Sequence, residues 1–175
     1  MSPRRILFPL LLIIGGILIV SIVFSVIKYS ENIRTIKTFP SFSAWTLEGE
    51  RISIVSQEEN TFTCLVFFSP DCNACREKIS QIINQGNRVK TLQWLFVTQA
   101  PYEDVSRFIV DTGLYRFSNA TTLLLDSPEL YTKYRISNFP ALFLYNPAGD
   151  YISRCKDSAD FNRFLNSLLK WCREE

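Results

Sequence analysis

The chain has 175 residues, a formal net charge of +2, five cysteines and no histidine. So small a charge, with no basic stripe interleaved with aromatic residues, argues against a nucleic-acid partner. The absence of histidine leaves only cysteines and carboxylates as protein ligands for zinc. The length suits one globular domain with an appendage.

The first predicted element is an apolar helix at the N-terminus. Residues 6–27 contain no charged side chain, and at about 1.5 Å per residue such a helix just crosses a hydrocarbon core of about 30 Å. The run is longer than a typical signal-peptide core, and neither a small-residue cleavage site nor a lipid-accepting cysteine follows it. We expect an uncleaved signal anchor over residues 1–28, with a cleaved signal peptide as the alternative, and a juxtamembrane linker over residues 29–38.

Positive charges flank this helix on both sides, so their count is nearly balanced. What favours one orientation is the short tail before the helix, which carries Arg4 and Arg5; such a tail usually stays in the cytoplasm. The remainder of the chain is then expected to face the periplasm or the cell exterior, where disulfides persist.

Strands alternate with helices over residues 39–175. Aromatic and β-branched runs predict the strands, and apolar residues at helical spacing predict the helices. In chain order these are an extended segment that folds back at residues 48–50, a strand at 61–68, a helix that stops near Gly86, a strand at 91–98, a helix after Pro101, a strand at 121–125, a helix from Ser127, a strand–turn–strand over 141–154, and a terminal helix from Phe161. The alternation predicts an α/β fold with a mixed sheet covered by helices on both faces.

Cys72 and Cys75 lie where the strand at 61–68 gives way to a helix. The unpaired N–H groups and the dipole at a helix N-terminus favour a thiolate at the first cysteine, and the second lies about one turn later. The spacing therefore predicts thiol–disulfide exchange. A zinc site would need further ligands with suitable spacing, so we expect no metal. A purely structural disulfide is the other alternative, although so short a loop removes little chain entropy.

Three motifs together resemble the thioredoxin-fold redoxins: the opening hairpin, the run FFSPDCNACR, and Phe139-Pro140 followed by ALFLYNPAGDYI. The layout is similar to that of the membrane-anchored extracytoplasmic thiol–disulfide oxidoreductases that include cytochrome c biogenesis reductases. The resemblance implies that Cys72 and Cys75 are catalytic and form a redox-active disulfide. It also implies that Phe139 and Pro140 bind an extended partner segment, that Pro140 is cis, and that no cofactor is needed.

The sequence departs from this family around the cysteines. Asp71 precedes the first cysteine, where we expect it to cap the helix and to oppose the thiolate, whereas Arg76 favours the thiolate. The buried acid of many relatives has no match, since Val66 and Lys78 occupy the two positions where relatives carry it.

The partners expected from the resemblance are extracytoplasmic protein thiols and disulfides, and tethering to the membrane fits a membrane electron donor. Two alternatives stay open. Peroxiredoxins place a serine or threonine three residues before their reactive cysteine, as Ser69 stands before Cys72, which suggests peroxide reduction. Asp71 and the missing acid suggest a non-enzymatic thioredoxin-fold adaptor. The other three cysteines, Cys64, Cys155 and Cys172, are predicted to be small buried hydrophobes.

Overall fold

A computed structural model of the chain describes residues 15–25, 36–54, 60–86, 91–155 and 160–172. The chain divides into two compact units, residues 1–35 and 36–175. In the first unit, residues 15–25 form a helix (α1) whose large apolar side chains are exposed. Within the described ranges, no helix combines the length and the apolar character that crossing a bilayer requires. The rest of the predicted signal anchor lies outside the described residues.

The second unit is built around one sheet of seven strands. The strands are β1 (Phe42–Trp45), β2 (Arg51–Ile54), β3 (Phe62–Phe67), β4 (Leu92–Thr98), β5 (Ala120–Leu124), β6 (Ala141–Tyr145) and β7 (Tyr151–Cys155). Their order across the sheet is β2-β1-β5-β4-β3-β6-β7. The predicted hairpin is confirmed as β1 and β2, which pair antiparallel around Gly49 at φ 81°.

In the part of this unit that the structure describes, four helices accompany the sheet: α2 (Asn73–Gly86), α3 (Tyr102–Thr112), α4 (Glu129–Tyr134) and α5 (Phe161–Trp171), with a 3-10 turn at Leu114–Arg116. Every strand and helix predicted for this unit is present. Residues before β1 also contact the hairpin that closes the sheet: Thr38 pairs with Asp150, and the carbonyl of Lys37 accepts the N–H of Tyr151 at 2.9 Å.

Both faces of the sheet are covered. All six residues of β3 are buried, as expected for a central strand with parallel and antiparallel neighbours. Alternate side chains of a strand point to opposite faces. Cys64 and Val66 accordingly join an apolar cluster with α2, α3 and α5, whereas Leu65 and Phe67 join a second cluster with α4.

The strand directions bring distant parts of the chain to one edge of the sheet. Strands β3, β4 and β5 are parallel, so their carboxyl ends lie at the same edge. Strand β6 is antiparallel to β3, with Ala141 opposite Phe67, so β6 begins at that edge. The Phe139-Pro140 pair, just before β6, is therefore brought to the segment that follows β3 and leads into α2.

Gly86, the last described residue of α2, is closely packed. A Cβ at this position would lie 2.7 Å from the ring of Phe117 and 3.2 Å from the indole nitrogen of Trp94. Only a residue without a side chain permits that approach. The close contact with Phe117 is visible only in the fold.

Candidate active site

Cys72 is the residue that caps α2. Its carbonyl accepts the N–H of Arg76 at 3.3 Å, which is the first bond of the helix, and its sulfur accepts the N–H of Cys75 at 3.2 Å. A side-chain acceptor for the third helical N–H is what defines a cap. The prediction that Asp71 caps the helix is therefore wrong: Asp71 lies one residue too early and is exposed.

The half-buried Cys72 thiol lies against the segment before β6. Its S–H donates to the carbonyl oxygen of Phe139, with 3.5 Å between sulfur and oxygen. The Phe139–Pro140 peptide bond is cis, as predicted. The side chain of Phe139 packs against both apolar clusters. The structure thus brings together Cys72, Cys75 and the Phe139-Pro140 segment, which the sequence had singled out separately.

The two thiols differ in their surroundings. Cys75 is fully buried, while Cys72 is partly open to solvent. Burial raises the pKa of the Cys75 thiol well above its ordinary value of 9.0, and the hydrogen bond with Cys72 raises it further. Both cysteines are free thiols in the structure. At neutral pH, Cys75 is therefore held in its protonated form beside a more accessible sulfur.

Arg76 contacts both α3 and the loop before Cys72. Its guanidinium forms an ion pair with Asp111 of α3 at 3.1 Å and donates to the carbonyl of Pro70 at 3.3 Å. It also lies over the ring of Phe108, 5.3 Å from the centroid. These contacts tie the loop before Cys72 to α3, and the positive charge is compensated by Asp111.

Among the described residues, neither position where relatives carry a buried acid has one here: these positions hold Val66 and Lys78. Val66 is fully buried, and the amine of Lys78 pairs with Glu77 at 3.3 Å and lies 5.0 Å from the ring centroid of Phe161. Within the part of the chain that the structure describes, no cluster of histidine, cysteine or acidic side chains is arranged to hold a metal ion.

Sequence reasoning missed Tyr131 of α4. Its ring contacts that of Phe139, with centroids 5.8 Å apart, and its hydroxyl accepts the N–H of Gln99 at 3.1 Å. No local signal in the sequence marks this residue, because a tyrosine on a short helix looks like ordinary core filling. Only the topology brings it to the edge where the cysteines lie.

The remaining cysteines, Cys64, Cys155 and Cys172, are buried, as predicted. Burial raises the pKa of Cys64 well above 9.0, with smaller contributions from Cys172 and Cys155.

No family model and no curated protein matches the chain. Solved structures do match. The thioredoxin domain of a Bacteroides vulgatus thiol–disulfide oxidoreductase aligns with TM-score 0.66 and 20% identity over 78% of this chain and 96% of that one. A Bacteroides fragilis thiol–disulfide oxidoreductase aligns with TM-score 0.60 and 20% identity over 75% of this chain and 99% of that one. A secreted Mycobacterium tuberculosis disulfide oxidoreductase aligns with TM-score 0.59 and 16% identity over 74% of this chain and 95% of that one.

These similarities concern the three-dimensional arrangement, since the identities are low. They cover nearly the whole length of each neighbour, so the match is to complete domains and not to a shared fragment. These neighbours carry thioredoxin domains, and the described residues from 36 to 172 adopt the same thioredoxin fold.

Proposed function

We propose that the domain is a thiol–disulfide oxidoreductase that acts on proteins through Cys72 and Cys75. The observation that carries the proposal is the hydrogen-bonded pair at the start of α2, in which Cys72 caps the helix, accepts the Cys75 N–H and faces the Phe139 carbonyl. A sulfur at a helix N-terminus is placed where backbone N–H groups stabilise negative charge. No cofactor takes part.

Exchange proceeds in two steps. Cys72 loses its proton and attacks one sulfur of a partner disulfide; the Cys72–partner bond forms, the partner's S–S bond breaks, and the released partner thiolate takes up a proton. Cys75 then loses its proton and attacks the Cys72 sulfur, which forms the Cys72–Cys75 disulfide and releases the second partner thiolate, again protonated. Two electrons pass from the dithiol to the partner, and the reverse sequence oxidises a partner dithiol. A dithiol donor restores the reduced state.

Phe139 and Pro140 are proposed to bind the partner's backbone. Their segment begins the antiparallel strand β6 beside Cys72, and the Phe139 carbonyl already accepts a bond from that sulfur. An extended partner lying along this segment would bring its own sulfur to the same place. Cys72 attacks because it is the accessible thiol, and Cys75 resolves because it is buried.

The domain is further proposed to be tethered to the cell membrane by a single N-terminal helix and to face the periplasm or cell exterior. The uncharged run at residues 6–27 and the exposed apolar side chains of α1 support tethering. The secreted Mycobacterium tuberculosis neighbour supports an extracytoplasmic setting. In that setting the partners are extracytoplasmic protein thiols and disulfides, as in cytochrome c biogenesis, and a membrane electron donor supplies the dithiol.

An insulin-reduction assay with a dithiol donor tests the activity, using the full chain in detergent. We expect the wild-type chain to reduce insulin, and Cys72→Ser to abolish the reaction while the fold is retained. Consumption of peroxide without insulin reduction would identify a peroxide-reducing redoxin instead. Binding of partners without either reaction would identify an adaptor.

The roles of the two cysteines are tested by trapping. Cys75→Ser should leave Cys72 able to form mixed disulfides that are not resolved, so partners accumulate covalently on this variant. Cys72→Ser is the matched control and should trap none. The opposite pattern would reverse the two roles.

The tether and its orientation need a separate test. A reporter that is active only outside the cytoplasm, fused after Glu175, should be active and should sediment with membranes. Activity from a cytoplasmic reporter alone would refute the orientation, and a soluble, shortened product would indicate a cleaved signal peptide.

A further inference from the structure

Tyr131 lies outside the cysteine motif, yet its side chain meets three segments that converge on the thiols. Its ring centroid lies 5.8 Å from that of Phe139 and 5.5 Å from that of Phe67, the last residue of β3. Its hydroxyl accepts the backbone N–H of Gln99, which directly follows β4, at 3.1 Å. One side chain therefore connects the ends of two central strands to the Phe139 segment.

We propose that Tyr131 is a positioning residue that holds the Phe139 segment in place for protein partners, an inference that rests on the proposed function. The neighbouring Ser137 and Asn138 are exposed, so their side chains do not anchor the segment, whereas that of Phe139 does. That side chain is half-buried, and Tyr131 meets it edge-on at an interplanar angle of 64°. Edge-to-face aromatic contacts of this kind add stabilisation beyond burial alone.

The electrostatics of the hydroxyl agree with this placement. Burial raises the pKa of Tyr131, and the Cys75 thiol is among the groups that contribute to the increase. The hydroxyl therefore remains protonated at neutral pH. Its oxygen accepts the Gln99 N–H, and this bond helps to hold the ring against Phe139.

Positioning of this segment affects protein partners more than small disulfides. A small disulfide needs only an accessible Cys72 sulfur, whereas a protein partner must also align its backbone with the segment before β6. A displacement of about 1 Å in the segment that aligns the partner lowers the rate, because the reacting sulfur atoms are then no longer correctly oriented. Loss of the Tyr131 ring should therefore change the ratio of the two activities.

The experiment compares insulin with a small aromatic disulfide, dithiobis-nitrobenzoate, as substrates of the full chain in detergent. For Tyr131→Leu we expect kcat/KM toward insulin to fall about tenfold, equivalent to about 1.4 kcal/mol, and kcat/KM toward the small disulfide to fall less than about twofold. Tyr131→Phe keeps the ring and should retain insulin reduction within about threefold. Tyr131→Met serves as a second ring-free variant if the leucine variant does not fold.

Tyr134→Leu is the matched control, since it makes the same change on the same helix. The Tyr134 ring contacts Phe67 and Phe143 and its hydroxyl bonds that of Tyr145. It should lose stability without changing the activity ratio, and Tyr134→Phe replaces it if the leucine variant does not fold. Equal decreases in kcat/KM toward both substrates in Tyr131→Leu would overturn this inference and leave the proposed function standing. The same change of the activity ratio in the Tyr134 variants would do so too. A wild-type chain that reduces neither substrate would overturn the proposed function and this inference with it.

Discussion

At the scale of single residues, the two thiols of the site are distinguished by burial. Cys72 is half-buried and its thiol donates a hydrogen bond to the Phe139 carbonyl, whereas Cys75 is buried in the apolar cluster that contains α2. The thiolate is the form that attacks a disulfide. Because burial raises the pKa of Cys75 above 9.0, only a small fraction of this thiol is ionised at neutral pH, and the second step of exchange should be limited by that fraction.

The release of a small aromatic thiol from its mixed disulfide with Cys72 measures this step directly. We expect the release rate to rise about tenfold for each pH unit from neutral pH to about pH 9, since the thiolate fraction of a thiol below its pKa increases in that proportion. Burial is the larger cause of the raised pKa and does not depend on the hydrogen bond with Cys72, which the mixed disulfide removes. Cys75→Ser should show no release, and a plateau below about pH 8 would contradict the prediction.

At the scale of elements, Arg76 joins two helices and a loop. It reaches Asp111 of α3, the carbonyl of Pro70 before α2, and the face of the Phe108 ring. Both charged partners are about half exposed, so the ion pair alone contributes little. The guanidinium makes these contacts together because it presents several donors in one plane, which a lysine amine does not.

Arg76→Gln should therefore lower the free energy of unfolding by about 1 kcal/mol, while Asp111→Asn, which removes only the ion pair, should cost about half as much. Urea denaturation of the reduced chain in detergent measures both. The rate of Cys72 alkylation at neutral pH should change less than about twofold in either variant, because Asp111 already compensates the charge. A severalfold decrease for Arg76→Gln together with an increase for Asp111→Asn would instead support a direct electrostatic effect on Cys72.

These contacts show where prediction from the sequence stops. Strand patterns are local, so the sequence predicts the bounds of β3 and β6 nearly to the residue. The Cys72–Cys75 pair and Phe139-Pro140 were found because their residue types are specific. Asp71 was chosen as the helix cap because aspartate favours that position, whereas the observed cap is one residue later. The partner of Arg76 lies 35 residues away on another helix, and Tyr131 meets Phe139 only after α4 has packed on the sheet.

At the scale of the whole molecule, the core of the domain contains several titratable groups whose burial favours the protonated form. Burial raises the pKa of Cys64 and Cys75 above 9.0. Burial also raises the pKa of Tyr134 and Tyr145, whose hydroxyls lie 2.6 Å apart, above 10.0. In the unfolded chain these groups ionise near their ordinary values. Above those values the unfolded state binds fewer protons than the folded state, so stability decreases as the pH rises.

The reduced chain should therefore lose about 3–4 kcal/mol of unfolding free energy between about pH 8 and about pH 10, measured by urea denaturation in detergent at constant ionic strength. The stabilisation from the buried thiols is lost at lower pH than that from the buried phenols, because an unfolded cysteine ionises at lower pH than an unfolded tyrosine. Cys64→Val should flatten the decrease from about pH 9 upward, whereas Tyr134→Phe should flatten it only from about pH 10 upward, because the unfolded thiol and phenol ionise at different pH. A stability that stays constant up to about pH 10 would contradict the burial of these groups in their protonated forms. If both variants changed the curve over the same pH range, the decrease would have to be assigned to other groups.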